Sequence, residues 1–143
     1  MIGFRYGQVL RTSRGAALEY TLDVIPAVVV SRPDLASSTG LKRVYGAGIL
    51  PVGFKGIFRR QSRVQPFGDM DSGPVYFTSQ VPRPDAARLN FLSKIGAGVQ
   101  ILSSRRRALI LEYAFGHLSN AGISRVNPGI NMNVSSVGVS VFK

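Results

Sequence analysis

Residues 88–119 read RLNFLSKIGAGVQILSSRRRALILEYAFGHLS, two alternating stretches joined by a short basic link. In the first stretch Phe91, Ile95, Ala97 and Val99 share one parity, and Asn90, Lys94, Gly96, Gly98 and Gln100 share the other. In the second, Leu109, Leu111, Tyr113 and Phe115 oppose Glu112, Ala114 and Gly116. A period of two puts successive side chains on opposite faces of a β-strand. Helical periodicity is absent, and the many glycines and β-branched residues argue against helix. The pattern continues outward. Leu18, Tyr20, Leu22 and Val24 oppose Glu19, Thr21 and Asp23, and Ile2, Phe4 and Tyr6 oppose Gly3, Arg5 and Gly7. The alternation predicts seven strands, over about 2–10, 16–31, 43–58, 64–78, 88–102, 107–119 and 130–142.

Alternation by itself fits two architectures. In a soluble sandwich or lipocalin-like barrel the apolar face points inward; in an outer-membrane barrel it points out to lipid. The connections separate them. Links at 11–15, 59–63 and 103–106 are short, whereas those near 32–42, 79–87 and 120–129 are longer. Strict alternation of short and long links is the pattern of tight periplasmic turns and longer external loops. The short links carry Arg11 and Arg14, then Arg59, Arg60 and Arg63, then Arg105, Arg106 and Arg107. Charges gathered at one rim can meet anionic headgroups, or can simply solvate turns. In the last strand Asn131 shares parity with Val137, Val139 and Val141, and aromatic Phe142 precedes Lys143 at the end. An aromatic closing the final strand is typical of outer-membrane barrels.

The expected fold class is therefore all-β: an antiparallel up-and-down outer-membrane β-barrel of the eight-stranded type, in a single domain over 1–143, with seven strands visible. Such barrels have an even strand number and both ends in the periplasm. A seventh strand without an eighth leaves edges unpaired in lipid. The expectation is that a first upward strand and a signal peptide lie upstream of Met1. Arg5, Glu19, Asp23, Lys94 and Glu112 fall on the inward parity as structural polar packing, and buried charges of both signs are expected to pair. A barrel of about eight strands is filled by side chains, so a pore is not expected. The Gly46–Gly48 and Gly96–Gly98 pairs lie inside strands and read as small lumen residues rather than phosphate loops.

Composition narrows the function classes. The formal net charge is +11 over 143 residues, with a sequence pI near 11.1 and a mean hydropathy of +0.14. No cysteine is present, which removes disulfides and thiolate metal sites. A single histidine and seven carboxylates do not make a histidine-rich metal centre. No cofactor is called for. No apolar run reaches the length of a membrane helix, and MIGFRYGQVL lacks the apolar core of a signal peptide. Nucleic acid is not the expected partner, since no aromatic-basic recognition motif occurs. A soluble cationic lipid-binding β-barrel stands as an alternative.

The chemistry concentrates in HLSNAGISRVNPGIN, residues 117–131. His117 and Ser119 are two apart, which on a strand puts them on one face at roughly 6–7 Å. Serine is a useful nucleophile only beside a base. The pair shares parity with Leu111, Tyr113 and Phe115, the lipid-facing set, at the external end of its strand. Spacing alone equally allows an interfacial histidine beside an ordinary loop serine. Asn127-Pro128-Gly129 marks a turn that brings the last strand alongside 107–119. Arg83, Arg88 and Arg125 read as solvated loop charges, with a phosphate contact as the alternative, and Tyr113 and Phe115 as girdle aromatics, with packing against an acyl chain as the alternative.

At these residues the sequence resembles the lipid A 3-O-deacylase family of outer-membrane barrels. The matching positions are His117, Ser119, Asn120, Ala121 and Gly122, then Asn127, Pro128, Gly129 and Ile130. RYGQVL, ALEYTLDVIP, YGAGILPVGFK, NFLSKIGAGVQIL and LILEYAFGHLSNAG extend the similarity through most of the chain. The resemblance implies a serine esterase of the Gram-negative outer membrane that removes the 3-O-linked acyl chain of lipid A in lipopolysaccharide. It implies Ser119 as nucleophile, His117 as base, and oxyanion donors from the backbone at Asn120 and Gly122. Its partners would be lipid A and outer-membrane lipids; a homodimer is left open. The family pattern places a glutamate fourteen residues after the histidine, where this chain has Asn131. Asparagine can orient the imidazole but cannot stabilise its cation by charge, so a catalytically silent barrel of the same fold is the alternative.

Overall fold

Alternation in the sequence becomes one sheet of long antiparallel strands. The computed structural model describes residues 1–33 and 40–142. The strands are β1 (Ile2–Thr12), β2 (Ala16–Pro33), β3 (Leu41–Phe58), β4 (Val64–Phe77), β5 (Leu89–Ser104), β6 (Arg107–Ser119) and β7 (Ile130–Val141). They lie in sequence order, each bonded to its chain neighbours, with β1 and β7 as the two edges of the sheet. Strand limits differ from those read off the alternation by at most two residues. One difference changes a link. β5 runs on to Ser104, which pairs with Arg107, so the link expected over 103–106 tightens to a turn at Arg105 and Arg106. Two hydroxyls close it: the Arg106 N–H donates to Ser104 Oγ at 3.2 Å, and Ser103 Oγ donates to the Arg107 carbonyl at 3.1 Å. The link expected over 32–42 falls mainly on 34–39, outside the described residues, and its flanks extend β2 and β3 until Pro33 stands opposite Leu41.

The sheet is curled, and side-chain contacts prove it. Arg5 on the edge strand β1 reaches not only Asp23 on the neighbouring β2, at 2.7 Å, but also Asp71 on β4, at 2.6 Å. Arg5 also pairs with Asp69 on β4 and lies 3.9 Å from Glu112 on β6. Lys94 on β5 stands 3.6 Å from Asp71 and 3.7 Å from Asp23. A flat sheet would hold β1 about 14 Å from β4 and about 24 Å from β6, since neighbouring strands are about 4.8 Å from one another. The inward charges Arg5, Asp23, Lys94 and Glu112 thus form one network, joined by Asp69 and Asp71; Glu19, also expected to pair, stands outside it opposite Lys55 on β3 and makes no ion pair among the described residues. Thr21 Oγ1 donates a further hydrogen bond to Asp71 at 2.9 Å. Buried ions persist when paired and hydrogen-bonded in this way.

The interior is layered. Toward the long links, Ile25, Val44, Leu50, Val75, Phe77, Val81, Leu92 and Leu118 form an apolar core. The charged network fills the middle. Toward the short turns Lys55 Nζ donates to Gln100 at 3.0 Å and lies 4.2 Å above the Phe67 ring, beside a smaller core of Ala17, Ile57 and Phe67.

The outer wall is the reverse of a soluble protein's surface. Phe4, Tyr6, Met70, Ile95, Tyr113 and Phe115 are 49–69% exposed, and Val137, Val139 and Val141 are 73–78% exposed. Soluble monomers rarely show a contiguous apolar surface of this extent. Aromatic and aliphatic side chains outside, with carboxylates and cations inside, suit hydrocarbon around the wall. The soluble-barrel alternative required the apolar parity to face inward, and these exposures run against it.

Candidate active site

β6 ends and β7 begins at one corner of the outer wall, and their register places His117 directly opposite Asn131. His117 continues the outward parity of Tyr113 and Phe115 and is exposed. Its Nδ1 lies 2.7 Å from Asn131 Oδ1. An amide oxygen only accepts, so Nδ1–H is the donor and Nε2 keeps the lone pair that a general base needs. The edge carrying that nitrogen rests against Gly129. This glycine has φ +60°, and a Cβ built on it would stand 3.1 Å from His117 Cε1 and 3.5 Å from Nε2. The left-handed backbone favours glycine there, and a side chain would make the imidazole give way by a few tenths of an ångström.

Ser119 ends β6 opposite Phe91. It is half-buried and lies on the same outward parity as His117. Among the described residues no hydrogen bond joins its hydroxyl to the imidazole.

The loop after Ser119 is organised around the fully buried side chain of Asn120. Asn120 Nδ2 donates to the Val126 carbonyl at 2.8 Å, and its Oδ1 accepts from the Gly122 N–H at 3.0 Å. Its own N–H donates to Asn127 Oδ1 at 2.9 Å, and its carbonyl accepts from Ile123 N–H at 3.0 Å. Ala121 and Gly122 both have positive φ, 52° and 80°, which makes Asn120–Ile123 a turn of the I′ kind. The backbone N–H groups of Asn120 and Gly122, expected as oxyanion donors, are therefore both engaged inside the loop. Among the described residues no hydrogen bond is recorded for Ala121 N–H, which lies between them. Asn127, expected only to mark a turn, also clamps the loop through its side chain.

Among the described residues no carboxylate takes the place of Asn131. Glu112 points into the barrel toward Arg5, and Asp85 pairs with Arg83 at 3.0 Å in another link. A cavity of about 290 Å³ lies on the inner side of β6 and β7, lined by Ile25, Phe77, Leu92, Leu118 and Met132 among others. It includes none of His117, Ser119 or Asn131, so the polar constellation stands on the wall and not in a lumen pocket.

One polar neighbour escaped the sequence reading. Ser93 on β5 is the other cross-strand partner of His117, and its Oγ lies 2.8 Å from Ser72 Oγ on β4. Ser72, Ser93, His117 and Asn131 thus form a polar row across four strands. Directly below, Phe115, Ile95 and Met70 form an apolar row. The signal was present in the sequence: Ser93 carries a hydroxyl on the parity of Phe91 and Ile95.

The inverted distribution of side chains and the strand order define the class, an up-and-down β-barrel of the outer-membrane type. A family model described as "Lipid A 3-O-deacylase (PagL)" matches residues 7–140, and the chain belongs to that family. A solved structure described as "Crystal structure of the outer membrane enzyme PagL" is similar at a TM-score of 0.68 and 19% identity. The match covers 96% of this chain and 86% of that one. At that identity the likeness speaks for the fold. No curated protein matches the chain. The family resemblance and the barrel fold expected from the sequence both stand.

Proposed function

We propose that the protein is an outer-membrane serine esterase that removes the 3-O-linked acyl chain of lipid A. The observation that carries the reading is the His117–Asn131 hydrogen bond on the outer wall, with Ser119 on the same outward face. Family membership supplies the substrate class. Lipid A stands in the outer leaflet with its chains along the barrel wall, so an outward site meets its ester without passage through a pore.

Ser119 Oγ attacks the ester carbonyl as its proton passes to His117 Nε2. The resulting oxyanion needs a backbone donor beside Ser119, and Ala121 N–H is the group left for it in a turn that Asn120 and Gly122 hold in shape. Collapse breaks the bond to the sugar oxygen, which takes the proton from His117. Water, deprotonated by the same nitrogen, then attacks the acyl-serine, releases the fatty acid and restores Ser119. Asn131 holds the imidazole in the tautomer that presents Nε2.

The same Asn131 favours a second reading, a barrel that has kept the fold and lost the activity. Replacing the triad acid by its amide in a serine protease cost about 10⁴ in turnover. Mass spectrometry of lipid A from cells expressing the full-length protein, with and without Ser119→Ala, separates the two. Loss of one 3-hydroxyacyl chain that depends on Ser119 supports the esterase; unchanged lipid A in wild-type-expressing cells supports the silent barrel.

A further inference from the structure

The three short turns meet in space and leave a rim of cations with no counterion among the described residues. Arg60 N–H donates to the Gly15 carbonyl at 3.3 Å, joining the β1–β2 turn to the β3–β4 turn. Arg63 Nε donates to the Leu102 carbonyl at 3.3 Å, joining the β3–β4 turn to the end of β5. The Arg106 carbonyl accepts from Phe142 N–H at 2.9 Å, which ties the β5–β6 turn to the end of β7. This continuous rim holds Arg11 and Arg14 from the first turn and Arg59, Arg60 and Arg63 from the second. Arg105, Arg106 and Arg107 come from the third, and all of these arginines are exposed. No aspartate or glutamate lies in the three turns. Among the described residues the only arginines in ion pairs are Arg5, inside the barrel, and Arg83, in a long link. Like charges held this close repel one another, and the arrangement is favourable only with anions between them.

The apolar wall says what those anions are. Phe58 stands next to Arg59, Val64 next to Arg63, and Leu109 two residues beyond Arg107, each 40–53% exposed on the outer face. Guanidinium groups directly at the edge of a hydrocarbon-facing band stand at headgroup depth. Arginine matches phosphate oxygens with paired N–H donors. We infer that the short-turn rim is a binding collar for anionic glycerophospholipid, in the leaflet opposite to the one that His117 and Ser119 face. The collar needs both a phosphate and acyl chains, since one element recognises each. It is independent of the esterase reading.

The test is native mass spectrometry of the full-length protein in neutral detergent, titrated with phosphatidylglycerol or phosphatidylcholine. The wild type is expected to retain phosphatidylglycerol preferentially, and to release it near 1 M salt, where the screening length falls to about 3 Å. Arg59→Gln/Arg60→Gln/Arg63→Gln is expected to lose retention by about fivefold per arginine removed. The change Arg88→Gln/Arg125→Gln, at the opposite end, is expected to leave it intact. Equal retention of the two lipids by the wild type would overturn the collar without needing any variant. So would undiminished retention in the triple variant, or competition by free glycerol phosphate as strong as by the lipid.

Discussion

Asn131 occupies the position from which a carboxylate would both orient and charge-stabilise the imidazole of His117. With only a dipole facing Nδ1–H, the cation that the proposed proton transfer would form is stabilised less. Asn131→Glu is accordingly expected to raise deacylation about 10-fold or more, judged against the roughly 10⁴ lost in the opposite exchange elsewhere. The readout is the rate of fatty-acid release from purified lipopolysaccharide. Gly129 is a positioning residue for the same ring. Gly129→Ala adds a methyl 3.1 Å from His117 Cε1 at a left-handed backbone position. It is expected to cut turnover about 10- to 100-fold by displacing the imidazole, the scale of loss for misplaced reacting groups. Heat-modifiable gel migration should stay as in the wild type, because the change touches a loop and not the sheet. Neither the contact with Gly129 nor the commitment of the Asn120 and Gly122 N–H groups was legible in the sequence. Both depend on how the loop folds back over the end of β6, which strand parity does not reach. The cross-strand meeting of His117 and Asn131 was legible, because parity and the Asn-Pro-Gly turn together imply it.

β6 shows what alternation can carry. Leu109, Leu111, Tyr113 and Phe115 face out at 38–59% exposure, whereas Ala108, Ala114 and Leu118 are buried at 1–3%. A residue's face follows from its parity alone, since the pleat has a period of two. Strand ends were less exact, and β5 outran its expected end because Ser103 and Ser104 stabilise a tighter turn with their own hydroxyls. The network of Arg5 with Asp69 and Asp71 was out of reach as well: those partners lie on β4, and only the curl of the sheet brings them to β1. The lipid-facing assignment of β6 has a direct consequence. Tyr113 stands at the middle of β6 and not at the girdle depth expected of it, so Tyr113→Lys is expected to lower the stability of the vesicle-folded protein by about 2–4 kcal/mol, the cost of a charge near the bilayer midplane. Urea titration of the folded, gel-shifted form measures it. A substitution that leaves the midpoint unchanged would place Tyr113 out of contact with hydrocarbon.

Across the whole molecule, the barrel is held from within by charge and from without by lipid. Arg5 is the hub of the inner network and contacts β2, β4 and β6 from the edge strand. Arg5→Ala would leave Asp23, Asp69 and Asp71 without their main partner, and is expected to cost about 3–5 kcal/mol, as for other broken buried pairs. The same urea titration reads that loss. With the Arg5 network paired inside and the apolar side chains outside, His117 and Ser119 are left on the wall, at the end of the molecule opposite to the arginine rim. The central question is whether an outward Ser119 and His117 act on a lipid that lies against that wall. Lipid A mass spectrometry decides it. Cells expressing the full-length wild type are expected to show lipid A lighter by one 3-hydroxyacyl chain, and cells expressing Ser119→Ala to show it whole. Lipid A identical in the two strains would contradict the esterase.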